Sequence, residues 1–271
     1  IASATPITDS GFMPIAGTTT GSTWELGEPN FMHGTYVGSV WYVWTTTTAG
    51  SRTLEAASGN VKLEIYTGPV FASLTPVPSM VQSYPGDRLV GRLAAGTYWV
   101  RATSTGHNFT LTSPPSPPND DVANAQVITG TTGSWAGDDS GAGGEVFEND
   151  FIYRGDYRGG IGSMSTWFSW TAPVTGPQTF LVTGNRTLSV WADDPGDRAN
   201  MNRVDVEYPN SGTSIKSFPA QAGTTYLVRI AGYDDGGTYT FTLNPTPAND
   251  NFASAMVFAN TTADIAWGVQ S

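Results

Sequence analysis

The sequence predicts an all-β chain of tandem antiparallel β-sandwich domains, jelly-roll-like in architecture and joined by short Pro-rich linkers. Three observations predict this fold. Thr, Ser, Gly, Tyr and Trp are abundant whereas Leu and Lys are scarce, a composition that favours strands and turns. Two long stretches of the chain repeat one another in sequence. Within each stretch, short apolar and aromatic runs are separated by turn signals, which is typical of sandwiches and barrels.

The strands are predicted from these runs in chain order. In the first copy of the repeat they are expected at 39–46, 52–57, 61–66, 88–93, 97–102 and 108–112. In the second copy they are expected at 165–171, 178–183, 187–192, 213–218, 224–230 and 238–243. The clearest pair is TYWVRA and TYLVRI, each introduced by the turn signal AGT. Only DDVANAQ (120–126) favours a brief helix, with Asn119 as its N-cap.

The repeat is clearest around paired tryptophans. SVWYVWTTTTAGSRTLEAASG (39–59) aligns with STWFSWTAPVTGPQTFLVTGN (165–185). The pattern N-D-x-[F/V]-A-x-A opens the second and third copies, and a Thr-Thr pair and a Trp follow it. We interpret the recurring residues as structural signatures of the fold, and expect both Trp residues of the pairs 41/44 and 167/170 on one core-facing strand face. The signature residues are Trp24, Trp41, Trp44, Trp135, Trp167, Trp170, Asn119 and Asn249.

The repeat divides the chain into four parts. Residues 1–113 form the first copy, 114–118 the Pro-rich linker, 119–245 the second copy, and 246–271 the start of a third copy. The linker should be extended and semi-rigid because prolines follow one another closely. There is neither an initiator Met nor a signal-peptide pattern at the first residue. We therefore expect this chain to be a piece of a longer protein.

The composition excludes several classes of function. The chain has no Cys, which excludes disulfides and thiolate chemistry. Its net charge is −11, which argues against nucleic acid and anionic membranes as partners. No apolar run approaches the roughly 18–20 residues of a membrane span. The acidic excess lies mainly in the second copy, which makes that copy the better candidate for cation binding.

Several motifs resemble one protein family. They are the N-D-x-[F/V]-A-x-A opener, GEP at 27–29, the SVWYVWT strand and the run AGTTYLVRI…YTFTLNP. Together they resemble the bacterial pre-peptidase C-terminal domain family over essentially the whole chain. The resemblance implies β-sandwich modules attached in tandem to secreted peptidases and other exported proteins. Similar repeats occur in minor tail proteins of phages that infect actinobacteria.

Catalysis is not predicted. The histidines, His33 and His107, both lie in the first copy and have no His counterpart in the second, so a repeated Ser-His-acid arrangement is excluded. GSMSTW (162–167) does not fit the G-x-S-x-G pattern. Glu28 is taken as the equivalent of Glu145, and one recurrent Glu beside a turn more often accepts backbone hydrogen bonds. We predict that the chain is not an enzyme and requires no cofactor.

Calcium is the metal that the acidic loops could bind, because it accepts carboxylates and backbone carbonyls from flexible loops. WADDPGD and YDDGG in the second copy are rich in Asp, whereas the equivalent loops of the first copy lack it. In the resembled family some members bind calcium near the start of the module, which points to Asp120 and Asp121. A solvated acidic loop or an Asx turn is the alternative. The remaining candidate ligands are Asp193, Asp194, Asp197, Asp234 and Asp235.

Aromatic residues suggest a carbohydrate surface. Trp and Tyr rings stack on the apolar faces of sugars, but the paired tryptophans are expected in the core. A glycan site would therefore use loop aromatics, of which some lie in the Gly- and Asp-rich segment 136–162 that appears as an insertion in the second copy. The candidate ligand-binding residues are Phe31, Tyr36, Tyr153 and Tyr157.

Two functions remain open for an extracellular or virion-surface protein of this kind. The first is a non-catalytic structural or adhesive module of a phage minor tail protein or fibre-like spacer. Its partners would be other repeats, other virion or surface proteins, cell-surface glycan, or further copies in a homo-oligomer. The alternative is an accessory substrate-binding or processing region of a secreted peptidase or hydrolase. The fold would be identical, so the flanking sequence discriminates between the two.

Overall fold

Two β-sandwiches of the same design follow one another along the chain. The computed structural model describes residues 3–8, 14–29, 38–57, 60–83, 88–148, 164–197, 201–232 and 236–245. The strands of the first sandwich are β1 (Thr5–Thr8), β2 (Ile15–Thr18), β3 (Gly38–Thr46), β4 (Gly50–Ala56), β5 (Lys62–Thr67), β6 (Thr75–Pro76), β7 (Met80–Ser83), β8 (Arg88–Leu93), β9 (Gly96–Ser104) and β10 (Asn108–Thr112). Those of the second are β11 (Gln126–Ile128), β12 (Gly133–Asp138), β13 (Met164–Thr171), β14 (Gly176–Thr183), β15 (Thr187–Ala192), β16 (Asn202–Glu207), β17 (Thr213–Ala220), β18 (Thr225–Gly232) and β19 (Thr238–Pro245).

Each sandwich consists of two sheets with matching strand orders. In the first sandwich the orders are β1-β3-β9-β5-β6 and β2-β10-β4-β8-β7. In the second they are β11-β13-β18-β15-β16 and β12-β19-β14-β17. The predicted all-β tandem sandwich is therefore confirmed. Neighbouring strands are antiparallel except in two places, since β1 runs parallel to β3 and β11 runs parallel to β13.

The sequence forms these sheets because its longest alternating runs lie at their centres. In the sheet β1-β3-β9-β5-β6, β3 pairs with β9 along its whole length, with Trp44 opposite Tyr98. β13 pairs with β18 in the same manner, with Trp170 opposite Tyr226. Aromatic pairs of this kind stabilise a sheet across neighbouring strands.

The core of each sandwich lies between its two sheets. Trp44 and Trp170 are at its centre and are 0% and 1% exposed. In the second sandwich the ring of Trp170 lies 5.5 Å from that of Phe180 and 5.8 Å from that of Tyr226. Burial of aromatic groups of this size supplies a large part of the stability of a domain.

The expectation that each tryptophan pair shares one strand face is wrong. Trp44 belongs to the central core, whereas Trp41 points to the opposite face and packs against Phe71 at 5.1 Å. Trp170 and Trp167 divide in the same way, with Trp167 in a separate cluster that includes Trp191. Residues three apart on a strand point to opposite faces, so the spacing itself requires this division.

The predicted helix near Asn119 is replaced by a single 3-10 turn at Val122–Asn124. Asn119 does not cap this turn. Its side-chain amide instead donates to the carbonyl oxygen of Trp167 at 3.0 Å, and the backbone N–H of Trp167 donates to the carbonyl oxygen of Asn119 at 2.9 Å. The opener is therefore held against β13.

The signature tryptophans Trp24 and Trp135 are not equivalent. Trp135 lies within β12 and contacts Phe241 at 5.8 Å, whereas Trp24 lies beyond the end of β2 and is 50% exposed. The strand registers instead align IAGTTTGSTWE (15–25) with WAGDDSGAGGE (135–145), which places Gly144 at the position of Trp24. The sequence alignment paired Trp24 with Trp135 because each follows a Thr-Thr pair, and this pairing is displaced by several residues from the structural one.

Candidate functional site: the joint between the sandwiches

The two sandwiches meet at a packed joint. We use this name for the contact of β4 and β8 with residues 116–121, residues 140–143 and Met164. Arg92 at the end of β8 places both terminal nitrogens on the carboxylate of Asp121, with Nη2 3.2 Å from Oδ2. The same guanidinium donates to the hydroxyl of Ser51 at 3.1 Å. A bidentate pair of this kind fixes orientation as well as distance.

Asp120 stands beside this pair but is almost completely buried. Its Oδ1 accepts the backbone N–H of Gly143 at 2.6 Å, and the hydroxyl of Ser51 donates to the same carboxylate. Burial raises the pKa of Asp120 to about 6, and these two hydrogen bonds counteract part of the rise.

The Pro-rich linker lies against the first sandwich. The hydroxyl of Ser116 donates to the carbonyl oxygen of Ser51 at 3.1 Å. Arg88 extends in the other direction and donates through Nη2 to the carbonyl oxygen of Ser140 at 2.8 Å. The linker and the loop after β12 are therefore both tied to strands of the first sandwich.

A small apolar contact fills the middle of the joint. Val90, Ala142 and Met164 form one cluster, and each is 0% exposed. Glycines allow the close approach: a Cβ atom on Gly141 would lie 2.1 Å from the carbonyl oxygen of Pro115, and one on Gly143 would lie 2.9 Å from Oγ of Ser51. Side chains at either position would push the sandwiches apart.

Glu145 borders the joint from the second sandwich. Its Oε2 accepts the backbone N–H of Val122 at 2.7 Å. Burial raises the pKa of Glu145 to about 7, with a further contribution from the neighbouring charges of Glu148 and Asp121. A carboxyl group whose pKa is raised by folding favours the folded state while it is protonated and disfavours it once it is ionised.

We therefore expect the stability of the second sandwich to fall as the pH rises from about 4.5 to about 7, and Glu145→Gln to reduce this fall. The expected reduction is roughly 1–3 kcal/mol, because the raised pKa makes the folded state bind the proton more tightly than the unfolded state. Urea unfolding at about pH 5 and about pH 7.5 measures it. Glu25→Gln, at the exposed matching position of the first copy, should leave the difference unchanged; an equal effect of both substitutions would contradict the prediction.

A buried carboxylate–guanidinium pair recurs in both sandwiches. Glu148 accepts the hydroxyl of Ser165 at 2.9 Å, Nε1 of Trp167 at 3.3 Å and Nε of Arg229 at 2.9 Å. Glu148 and Arg229 are both 0% exposed. Complete burial raises the pKa of Glu148, and the Arg229 charge opposes this rise. This geometry favours a structural role, since every donor is directed at one carboxylate.

The matching residue in the first sandwich is Glu28, not the equivalent of Glu145 that the sequence suggested. Glu28 accepts from Ser39 at 2.7 Å and from Nε1 of Trp41 at 3.4 Å. Arg101 lies 3.5 Å from Glu28. The correct alignment is ELGE (25–28) with EVFE (145–148), so the sequence comparison was wrong by three positions. It also placed the start of the insertion too early, at 136.

Sequence reasoning missed the arginines of these networks. Arg101 and Arg229 occupy matching positions in TYWVRA and TYLVRI, inside runs that are otherwise buried. Arg186 is a further buried arginine, paired with Asp139 at 2.6 Å. An Arg that recurs in a core strand needs a buried partner, and this signal would have directed attention to both networks.

The candidate calcium ligands do not converge in the described part of the chain. Asp121 pairs with Arg92, and Asp120 is occupied by its two donors. Asp194 accepts the backbone N–H of Gly196 at 3.1 Å in a turn closed by a hydrogen bond from the N–H of Asp197, and Asp193 follows directly after β15. Within the described ranges no group of three or more Asp, Glu or His could hold a metal ion. Asp234 and Asp235 lie outside these ranges, and calcium stays a prediction.

The candidate glycan residues, Phe31, Tyr36, Tyr153 and Tyr157, lie outside the described residues, as do Asn249 and His33. A groove of about 720 Å³ follows the linker, bounded by residues 114–119 and by β12. In the described part of the chain no helix is long and apolar enough to span a membrane.

Comparisons with known proteins found solved structures that are similar to part of the chain. No protein-family model matches the chain, and no curated protein matches it. The pre-peptidase C-terminal domain of a collagenase from Bacillus anthracis is similar at 14% identity and a TM-score of 0.31, over 49% of this chain and 100% of that one. Periplasmic inhibitors of g-type lysozyme from Salmonella Typhimurium and Aeromonas hydrophila are similar at 8% and 11% identity, each with a TM-score of 0.25. These two matches cover 44% of this chain and 97% and 96% of theirs.

Proposed function

We propose that this chain is a non-catalytic structural and adhesive repeat segment of an extracellular or virion-surface protein, acting as a fibre-like spacer in a phage minor tail protein. The observation that carries the proposal is the packed joint. A spacer transmits position only when successive domains keep a restricted angle, whereas domains on a free linker move independently. The bidentate pair of Arg92 with Asp121 and the buried cluster around Val90 restrict that angle.

The proposed partners follow from this role. They are other repeats of the same chain, other proteins of the virion or cell surface, or further copies in a homo-oligomer. Loop aromatics, with Tyr153 and Tyr157 among them, would contact cell-surface glycan. No cofactor is required for such a role, and calcium would act only as a loop stabiliser. The resemblance to pre-peptidase C-terminal domains supports export.

The spacer role predicts a narrow distribution of distances between the sandwiches. The chain has no native Cys, so spin labels can be attached at Val70→Cys and Val174→Cys, both at positions that are 57% exposed. Pulsed electron–electron double resonance should give one narrow peak in the distribution of distances between the two labels. Arg92→Glu should broaden it, because a like charge is placed opposite Asp121.

Lys62→Glu is the control with the same change of charge. Lys62 lies in β5, which belongs to the other sheet of the first sandwich and takes no part in the joint. This substitution should leave the peak narrow. A broad distribution in the unmodified chain would contradict the spacer role. The adhesive role is tested separately by binding of the labelled chain to intact actinobacterial cells, where absence of binding would contradict it.

A further inference from the structure

We propose that the second sandwich carries a docking face for the third copy of the repeat, and that residues 246–271 bind there as residues 116–121 bind the first sandwich. This inference deepens the proposed spacer function and rests on it. The docking face is the outer side of β14 and β17. It consists of Pro177, Thr179, Leu181, Ile215, Ser217 and Pro219.

The position of this face follows from the strand registers. In the first sandwich Gly50 lies opposite Leu93, and in the second Gly176 lies opposite Ala220. These pairs are equivalent, because Gly50 aligns with Gly176 without a gap. Counting along the strands from these pairs, Pro177 corresponds to Ser51 of the joint and Pro219 corresponds to Arg92. It also places Ile215 at the position of Arg88.

Burial differs between the two equivalent faces. In β8 both sides are covered: Leu89 and Leu93 face the core, while Arg88 and Val90 face the second sandwich and are 7% and 0% exposed. In β17 only the core side is covered. Ile215 is 52% exposed, and Ser217 and Pro219, which follow it on the same side of the strand, are exposed as well. In the first sandwich the next copy covers this face: its opening segment contacts Ser51 and Arg92, while its loop after β12 and Met164 cover Arg88 and Val90.

The docking face and the third opener both lack the charged residues that form the ion pair of the joint. In the joint Arg92 pairs with Asp121. At the docking face Pro219 replaces Arg92, and in the third opener Asn251 replaces Asp121. Both members of the ion pair are therefore absent together, so neither side would bury one member of this pair without the other. The pair of Arg88 with Glu55, 3.9 Å apart, is likewise replaced by the uncharged residues Ile215 and Leu181.

Features of the joint that do not depend on a partner's charge are retained. The Ser116 hydroxyl donates to a backbone carbonyl of β4, and Thr246 supplies a hydroxyl at the matching place in the second linker. Asp120 accepts the backbone N–H of Gly143 in its own sandwich and the hydroxyl of Ser51; Asp250 matches Asp120, whereas Pro177 at the position of Ser51 has no hydroxyl to donate. The third opener thus keeps the group that bonds to the backbone of β4 and loses the group that bonds to Arg92.

Paired cysteines in the full chain test the proposal. Ser51→Cys with Asp120→Cys places thiols at a contact of the joint, and Pro177→Cys with Asp250→Cys places them at the proposed equivalent. A short thiol-specific cross-linker should join both pairs within the chain and in similar yield, read by mass spectrometry of the digested protein. Mixing chains of natural and ¹⁵N composition separates cross-links within one chain from those between two chains.

Ile215→Asp should lower the yield of the second pair about tenfold without affecting the first, because a carboxylate would be buried against an uncharged segment. If the first pair cross-links and the second does not, the docking face is refuted while the spacer proposal stands. If neither pair reacts, the joint itself is refuted. Cross-links of the second pair only between chains would also overturn the proposal, since the face would then bind a second copy.

Discussion

Arg186→Val should lower the free energy of unfolding of the second sandwich by about 3–5 kcal/mol, because it leaves the carboxylate of Asp139 buried without its charge partner. Asp139 is 0% exposed. It accepts Nε of Arg186 at 2.6 Å and Nη2 at 3.0 Å, and the backbone N–H of Gly237 at 2.7 Å. Burial raises the pKa of Asp139, against the effect of the Arg186 charge, so loss of the arginine favours uptake of a proton at this site.

The first sandwich provides the matched control for this substitution. At the position of Asp139 it has Thr19, whose hydroxyl accepts the backbone N–H of His107 at 2.9 Å. At the position of Arg186 it has Val61, which is 0% exposed. The double substitution Asp139→Thr with Arg186→Val should therefore recover most of the lost stability. Urea unfolding of the four proteins of the cycle measures the coupling. A double variant no more stable than Arg186→Val would show that the pair does not act as a unit.

Glu148→Ala should destabilise the second sandwich by about 3–5 kcal/mol, because it leaves a fully buried guanidinium at Arg229 without its carboxylate. The substitution also removes the acceptor for Ser165 and Trp167. These buried donors would lose their acceptor, and each unsatisfied donor adds to the loss.

Glu28→Ala in the first sandwich should cost less, about 1–3 kcal/mol, because Arg101 keeps a second carboxylate. Glu64 lies opposite Arg101 in the sheet and accepts its Nε at 2.8 Å, whereas Ser189 takes the place of Glu64 opposite Arg229. Hydrogen–deuterium exchange of β13 and β3 in the two variants assigns each loss to its sandwich. Equal losses would contradict the role given to Glu64.

The sheets could be predicted because their central strands are long and strongly patterned. GSVWYVWTT and TYWVRA carry aromatic and β-branched residues, so β3 and β9 followed from sequence alone. β1 and β11 were missed because they have only four and three residues and lie at a sheet edge. Their parallel pairing to β3 and β13 depends on a connection that crosses between sheets, which no local pattern encodes.

The joint could not be predicted for a different reason. Arg88 and Arg92 are separated from Ser140 and Asp121 by tens of residues, and each of them alone resembles an ordinary surface charge. Only the relative placement of two domains makes them partners. The alignment error of three positions around Glu28 and Glu145 had a simpler origin. The dipeptide GE occurs in both segments, and aligning its two copies hides the correct match of the longer pattern E-x-x-E.

The joint contains an ion pair and an apolar cluster, and these two contacts respond differently to dissolved salt. The pair of Arg92 and Asp121 is about 30% exposed on each side, so added salt screens it over a Debye length of about 8 Å at physiological ionic strength. The cluster of Val90, Ala142 and Met164 excludes water, and salts that are excluded from protein surfaces strengthen such contacts. In a strongly excluded salt such as sulfate, the apolar contact therefore gains strength while the ion pair weakens, so the two effects of the salt on the joint oppose each other.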